Sequence, residues 1–165
     1  GRKLSNKEIS YFSNNLGSDT KLFFGSSLVF QKNLVKIISL KKKIRFYLIL
    51  IYPFLKSSTE DVYSRVKYYK NLSSDNFYKK NSKTQIALDL KYQENSLENI
   101  VISKHPVIEK ILSELETLKN CVFSRLTGSG SACFGLFLTK KTADIGLKKI
   151  KKKFPRFWCV VGKTI

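Results

Sequence analysis

The chain has 165 residues, 42% of them hydrophobic, which suits one packed domain with part of another and is too apolar for a disordered tail. Thirty-one Lys and Arg stand against twelve Asp and Glu, a formal charge of +19 that would draw any polyanion to the surface. Three cysteines without CxxC spacing and a single histidine, His105, argue against a zinc site or a disulfide framework, and the longest apolar run, 46–55, is about half of a bilayer helix.

The chain opens Gly-Arg-Lys and holds no Met, so its original start is expected upstream. Ser5 followed by Glu8 is a capping box, and Ile9, Phe12 and Leu16 recur at helical spacing, which predicts a helix over 6–15. The runs 22–24, 27–31 and 34–39 are short and β-like, consistent with a hairpin. A strongly apolar strand over 44–52 stops at Pro53, and Ser58-Thr59-Glu60-Asp61 opens a helix with apolar members Val62, Val66 and Tyr69. The polar stretch 71–83 reads as a loop. Helical patterns resume over 84–90, over 96–103 and from Pro106 onward. Strands are expected over 122–125 and 132–138 around a glycine turn, a helix over 143–152, and a last strand over 157–161. From about Ile44 the order is strand, helices, strand, strand, helix, strand, the split βαβ or ferredoxin-like plan of an α+β fold. The segment before it is too small to bury its own apolar faces and is expected to belong to a further domain.

The strongest local motif is Leu126-Thr-Gly-Ser-Gly-Ser-Ala-Cys-Phe-Gly135, where missing side chains let backbone N–H groups approach an anion. A tight β-turn with Gly128 and Gly130 at positive φ would give the same spacing. It is no Walker A loop, and Gly162-Lys163-Thr164 lacks the glycine such a loop needs, Phe157 standing in its place. In Leu16-Gly-Ser-Asp-Thr20, Asp19 is a turn residue or a general base. Ser58 and Thr59 suit a helix cap or ligand hydroxyls, and His105 before Pro106 marks a helix start. No Ser/His/Asp or Cys/His set can be assembled, and no metal ligands are assigned.

Taken together and in this order, these pieces resemble the C-terminal part of the GHMP small-molecule kinases. The residues that carry the likeness are 4–9 with 16–25 (LGSDTKLFFG), 53–63 (PFLKSSTEDVY), Asn95-Ser-Leu-Glu98 with His105-Pro106, 126–137 (LTGSGSACFGLF) and 158–164 (WCVVGKT). The resemblance implies a ferredoxin-like C-terminal domain over 44–165, preceded by the tail end of a ribosomal-protein-like N-terminal domain over 1–43. It implies that Asp19 is the base that activates a substrate hydroxyl for attack on the γ-phosphate of ATP. Thr127, Gly128, Ser129 and Gly130 would support the phosphates, and Ser58 and Thr59 would bind substrate. The nearest members phosphorylate a cytidine diphosphate derivative in non-mevalonate isoprenoid biosynthesis, with ATP and Mg²⁺ as cofactors. Both cofactors are expected to need an N-terminal region, including a lysine and a G-L-G-G-G-S-S-D loop, that these 165 residues lack. Thr20 and Lys21 replace a Val-Pro of the family, and Ser96 replaces an Asp.

The resemblance implies a cytoplasmic enzyme portion, inactive alone, with a small-molecule substrate and no membrane. A separately encoded N-terminal half would be its partner if the enzyme is split; a degraded reading frame or a cropped sequence fits as well. Against it stand a basic ferredoxin-like module that docks RNA and a non-catalytic partner subunit. The charge favours neither. Only five of the basic residues are Arg (Arg2, Arg45, Arg65, Arg125, Arg156), whereas specific nucleic-acid sites favour the Arg fork. Lys, Asn, Ile, Tyr and Phe all have A/T-rich codons, so the runs 41–43 and 148–153 read as solvated faces, the second with Ile150 inward.

Overall fold

A computed structural model describes residues 4–16, 20, 28–31, 37–40, 44–67 and 82–164. The chain divides into two compact units, residues 1–44 with residue 165, and residues 45–164. The first unit opens with α1 (Asn6–Leu16). Its capping box forms as expected: Glu8 Oε2 accepts from the Ser5 N–H at 2.8 Å, and Ser5 Oγ accepts from the Glu8 N–H at 3.3 Å. Strands β1 (Leu28–Gln31) and β2 (Ile37–Leu40) pair antiparallel, Leu28 opposite Leu40 and Gln31 opposite Ile37. The run 22–24 lies outside the described residues.

The second unit is a four-stranded antiparallel sheet in the order β4-β5-β3-β6, with helices between its strands. Its central strand β3 (Tyr47–Tyr52, sequence YLILIY) has β5 on one side and β6 on the other; Ile49 and Ile51 are buried on one face and Leu48 and Leu50 are half-buried on the other, which explains an apolar run without polar alternation. Pro53 ends the strand, having no N–H to donate to the ladder. Helices α2 (Thr59–Ser64), α3 (Lys83–Tyr92), α4 (Glu98–Lys104) and α5 (Val107–Glu116) follow, then β4 (Cys121–Leu126), β5 (Cys133–Phe137), α6 (Lys140–Lys153) and β6 (Trp158–Lys163).

Register decides which face each strand residue shows. Ile49 lies opposite Gly135 and Val161, and Ile51 opposite Cys133 and Cys159, so these residues share one face. That face meets Val101 of α4, Ile108, Ile111 and Leu115 of α5, and Ala143 and Ile150 of α6 in one buried core. Each such Ile or Leu contributes about 1.5–3 kcal/mol by leaving water. Gly146 lets α6 lie close to the sheet, since a Cβ there would come within 2.9 Å of Ile49 Cδ1. The lysines of α6 occupy the rest of its circumference and are exposed, while Ile150 faces the core. On the other sheet face Arg125 reaches α3, donating to the carbonyls of Leu90 at 2.9 Å and Lys91 at 3.1 Å. Among the described residues no helix is long and apolar enough to cross a membrane.

Several element boundaries depart from the sequence expectation: β3 begins at Tyr47 rather than 44, α4 at Glu98 rather than 96, and α6 at Lys140 rather than 143, where Thr139 caps it by accepting from the Thr142 N–H; two further departures have a cause in side-chain hydrogen bonds. The helix opened by Ser58 was expected to carry Val62, Val66 and Tyr69, yet α2 ends at Ser64. The Ser64 hydroxyl donates to the Asp61 carbonyl at 2.9 Å, the acceptor that the Arg65 N–H would need to continue the helix, and Arg65 bonds to Val62 O at 3.3 Å instead. Val66 packs against the core from beyond the helix, and Tyr69 lies outside the described residues. Lys83, expected in a loop, begins α3, because Ser82 caps that helix by accepting from the Gln85 N–H at 3.1 Å.

Candidate functional site

The glycine-rich segment joins β4 to β5, and its shape follows from its sequence. Thr127 donates to Ala132 O through its N–H at 2.9 Å and its hydroxyl at 3.0 Å, and the Gly130 N–H closes the turn on Thr127 O at 2.8 Å. Gly128 (φ +49°) and Gly130 (φ +82°) both adopt the left-handed region. At Gly130 space is short as well: a Cβ would lie 3.1 Å from Leu126 Cδ1 and 3.3 Å from Val101 Cγ1.

Two other segments frame this turn. From the connection after β3, Ser57 Oγ donates to Ser129 O at 2.6 Å, Ser131 Oγ donates to Leu55 O at 2.7 Å, and the hydroxyls of Thr59 and Ser129 share a hydrogen bond of 3.0 Å. From the connection before α4, Asn95 Nδ2 donates to Leu126 O at 3.1 Å and to Gly128 O at 2.8 Å, while its Oδ1 accepts from the Leu97 N–H at 3.0 Å. Glu98 Oε2 accepts from the Leu126 N–H at 2.7 Å. The carbonyls of Leu126, Thr127, Gly128 and Ser129 are therefore all turned to donors within the protein. Among the described residues, nothing accepts from the N–H groups of Gly128 and Ser129. Two adjacent peptide N–H groups without an acceptor, next to two hydroxyls, fit an oxyanion such as a phosphate oxygen.

The charges nearby are mostly committed. Lys104 and Arg65 both pair with Asp61, Arg65 Nη2 at 2.9 Å, and hold its carboxyl below the usual carboxylate range. Burial, with a smaller contribution from Glu98, pushes the Cys133 thiol up to about 12, so it is no nucleophile at neutral pH. A magnesium ion finds no carboxylate set at the turn: Glu98 is the acid bonded to it, and its Oε2 is engaged by Leu126. Among the described residues no three His, Cys, Asp or Glu side chains gather as metal ligands.

The candidates from the sequence divide in three. Thr127, Gly128, Ser129 and Gly130 form the turn, and Thr59 joins it through Ser129. Ser58 caps α2, accepting from the Asp61 N–H at 3.3 Å. Asp19 lies outside the described residues. Sequence reasoning missed the roles of Ser57, Asn95 and Glu98 in holding the turn. The available signal was Asn95 itself, an Asx residue bonding two positions onward just before a helix.

Residues 75–156 match the family model "GHMP kinases C terminal". The chain is 32% identical over 163 residues to the 4-diphosphocytidyl-2-C-methyl-D-erythritol kinase of Pelagibacter ubique, covering 99% of this chain and 57% of that one. It is 34% identical over 108 residues to the enzyme of the same name from a Wolbachia of Brugia malayi, covering 66% of this chain and 37% of the relative. The chain thus spans 57% of the length of the first of these relatives and matches 37% of the second. Among solved structures, a 4-(cytidine 5'-diphospho)-2C-methyl-D-erythritol kinase superposes with a TM-score of 0.66 at 19% identity, over 94% of this chain and 56% of the other, a likeness of fold.

Proposed function

The chain carries the C-terminal domain of a GHMP kinase, and on that premise we propose that it is the C-terminal portion of an ATP-dependent enzyme that phosphorylates the 2-hydroxyl of 4-diphosphocytidyl-2-C-methyl-D-erythritol. The observation that carries this reading is the glycine turn, whose carbonyls face protein donors and whose Gly128 and Ser129 N–H groups have no acceptor among the described residues. In the proposed reaction Asp19 takes the proton of the attacking hydroxyl. The turn Thr127-Gly128-Ser129-Gly130 meets charge on the phosphates, and Ser58 and Thr59 contact substrate. Phosphoryl transfer depends chiefly on positioning and on stabilising charge, which a pair of N–H donors held in a hydrogen-bonded turn supplies. ATP is the phosphoryl donor in this reading; Mg²⁺ would come with it and would need ligands beyond those at the turn.

The finer architecture belongs to the same proposal. The order β4-β5-β3-β6, antiparallel throughout, supports a split βαβ sheet of ferredoxin type over 44–165. We assign 1–43 to the end of a ribosomal-protein-like N-terminal domain. Because the principal nucleotide loop is not in these residues, the chain alone is expected to show no turnover; Asp19-dependent phosphorylation by the isolated chain would refute that expectation. The kinase reading itself is tested by joining the chain to the portion of the Pelagibacter relative that precedes its matched region. Such a chimaera is expected to phosphorylate the substrate and to lose turnover on Asp19→Asn. A folded chimaera without turnover, or one indifferent to Asp19, overturns the reading.

A further inference from the structure

Asn95 has two separable jobs. Its Oδ1 accepts from the Leu97 N–H and so sets the start of α4, while its Nδ2 donates to Leu126 O and Gly128 O in a turn some thirty positions away in sequence. The network also fixes the orientation of the amide, since only the oxygen can accept from an N–H and only the nitrogen can donate to two carbonyls. A backbone carbonyl and the following N–H belong to one rigid peptide plane and point in opposite directions. Drawing the Gly128 carbonyl toward Asn95 therefore directs the Ser129 N–H the other way. Drawing the Leu126 carbonyl does the same to the Thr127 N–H, which meets Ala132 O. Ser57 repeats the effect one residue on by holding Ser129 O. Gly128 itself is exposed and has open space beside it, so packing does not hold its peptide, and Asn95 is the side chain bonded to its carbonyl.

We propose that Asn95 is a positioning residue for the glycine turn: its side-chain amide, by holding the Gly128 carbonyl, aims the Ser129 N–H at an anion, beside the Gly128 N–H whose peptide the Gly130 N–H fixes through Thr127 O. The shape of the turn stands independently of the kinase reading; the anion rests on it. The test uses the full chain labelled with ¹⁵N. Asn95→Asp keeps an oxygen for the Leu97 N–H but sets a carboxylate against two carbonyl oxygens, so capping survives and positioning does not. At pH 7 the amide signals of Gly128, Ser129 and Gly130 are expected to move, and the Gly130 N–H to exchange about tenfold faster or more. On acidification through the carboxyl range, near pH 4, they should return toward the wild-type positions, because a protonated Asp can donate to one carbonyl. The amides of Leu97 and Glu98 should stay in place. Wild-type signals for the turn in Asn95→Asp at pH 7 overturn the proposal and leave Asn95 a simple cap. Should that variant fail to fold, Asn95→Ser, which is uncharged and too short to span both carbonyls, decides in the same way. Added inorganic phosphate should shift the Gly128 and Ser129 amides of the wild-type chain and leave those of the variant at least about tenfold less responsive. If the wild-type amides ignore phosphate, the anion reading fails, while the role of Asn95 in shaping the turn is still decided by the amide positions.

Discussion

Gly128 and Gly130 look alike in sequence but are required for different reasons. A Cβ on Gly128 would meet nothing within 4 Å, so its only constraint is the backbone at φ +49°. Gly128→Ala should then lower stability by about 1 kcal/mol, the cost of holding an L-residue left-handed, and Gly128→Asn by less. Urea unfolding of the two variants checks the ranking, and equal stability would show the turn to be relaxed. Cys133 poses a different question, since its thiol has an ordinary value of 9.0 and is pushed up to about 12 by burial, with Cys121 raised to about 11 for the same first reason. A raised thiol gives up its proton later in the folded chain than in the unfolded one. Its contribution is complete below pH 9 and is lost as pH climbs toward the folded value, at about 1.4 kcal/mol per pH unit for one thiol. Lysines titrate in the same window, so the useful measurement is a difference: between pH 9 and 10.5 the wild-type urea midpoint should fall more steeply than that of Cys133→Ala. Parallel slopes would mean that the thiol reaches water.

At the scale of elements, α3 shows how one side chain can secure a helix. The Arg125 guanidinium lies 4.6 Å from the centroid of the Phe123 ring and donates to Leu90 O and Lys91 O in the last turn of α3, where Leu90 O also accepts from the Gln93 N–H at 3.2 Å. A fork that serves two carbonyls and stacks on a ring has no equivalent in an ammonium, so Arg125→Lys should lower stability by about 1 kcal/mol or more. Hydrogen exchange should place the loss in α3 first; an unchanged exchange pattern there would sink the assignment. Arg125 also marks the limit of what the sequence told. Rules that act over three or four residues were readable: the Ser5–Glu8 box, Ser58 as a cap, Pro106 at the start of α5, and the glycine positions of the turn. The early end of α2 was not, because a Ser hydroxyl and a backbone N–H compete for one carbonyl and the sequence does not say which wins. The grip of Asn95, Glu98 and Ser57 on the turn was hidden too. Those bonds join positions 28 to 72 residues apart, and periodicity carries no information about such partners.

For the molecule as a whole, the distribution of buried side chains matters more than the net charge of +19. Among the described residues, every member of the main hydrophobic cluster lies in residues 45–164, from Ile49 on the central strand to Cys159 on its neighbour. The lysine-rich α6 follows the same logic, placing Ala143, Gly146 and Ile150 on that core while its cations face solvent, with Lys140 paired to Asp144 at 2.7 Å. A unit of about 120 residues with a four-stranded sheet covered by helices has surface enough to bury for independent stability. A chain trimmed to 45–165 should consequently unfold in urea as one cooperative transition. Trp158, the single tryptophan, sits on β6 opposite Tyr52 and gives a local probe, while far-UV circular dichroism follows the helices. The two midpoints should coincide. Removing Ile49, which is fully buried, should then cost about 2–5 kcal/mol as Ile49→Ala and shift both probes together, since its side chain touches the layer shared by sheet and helices. Separate transitions, or a trimmed chain that binds a hydrophobic dye and lacks near-UV signal, would show that this core is not self-sufficient and that the remaining residues supply part of its stability.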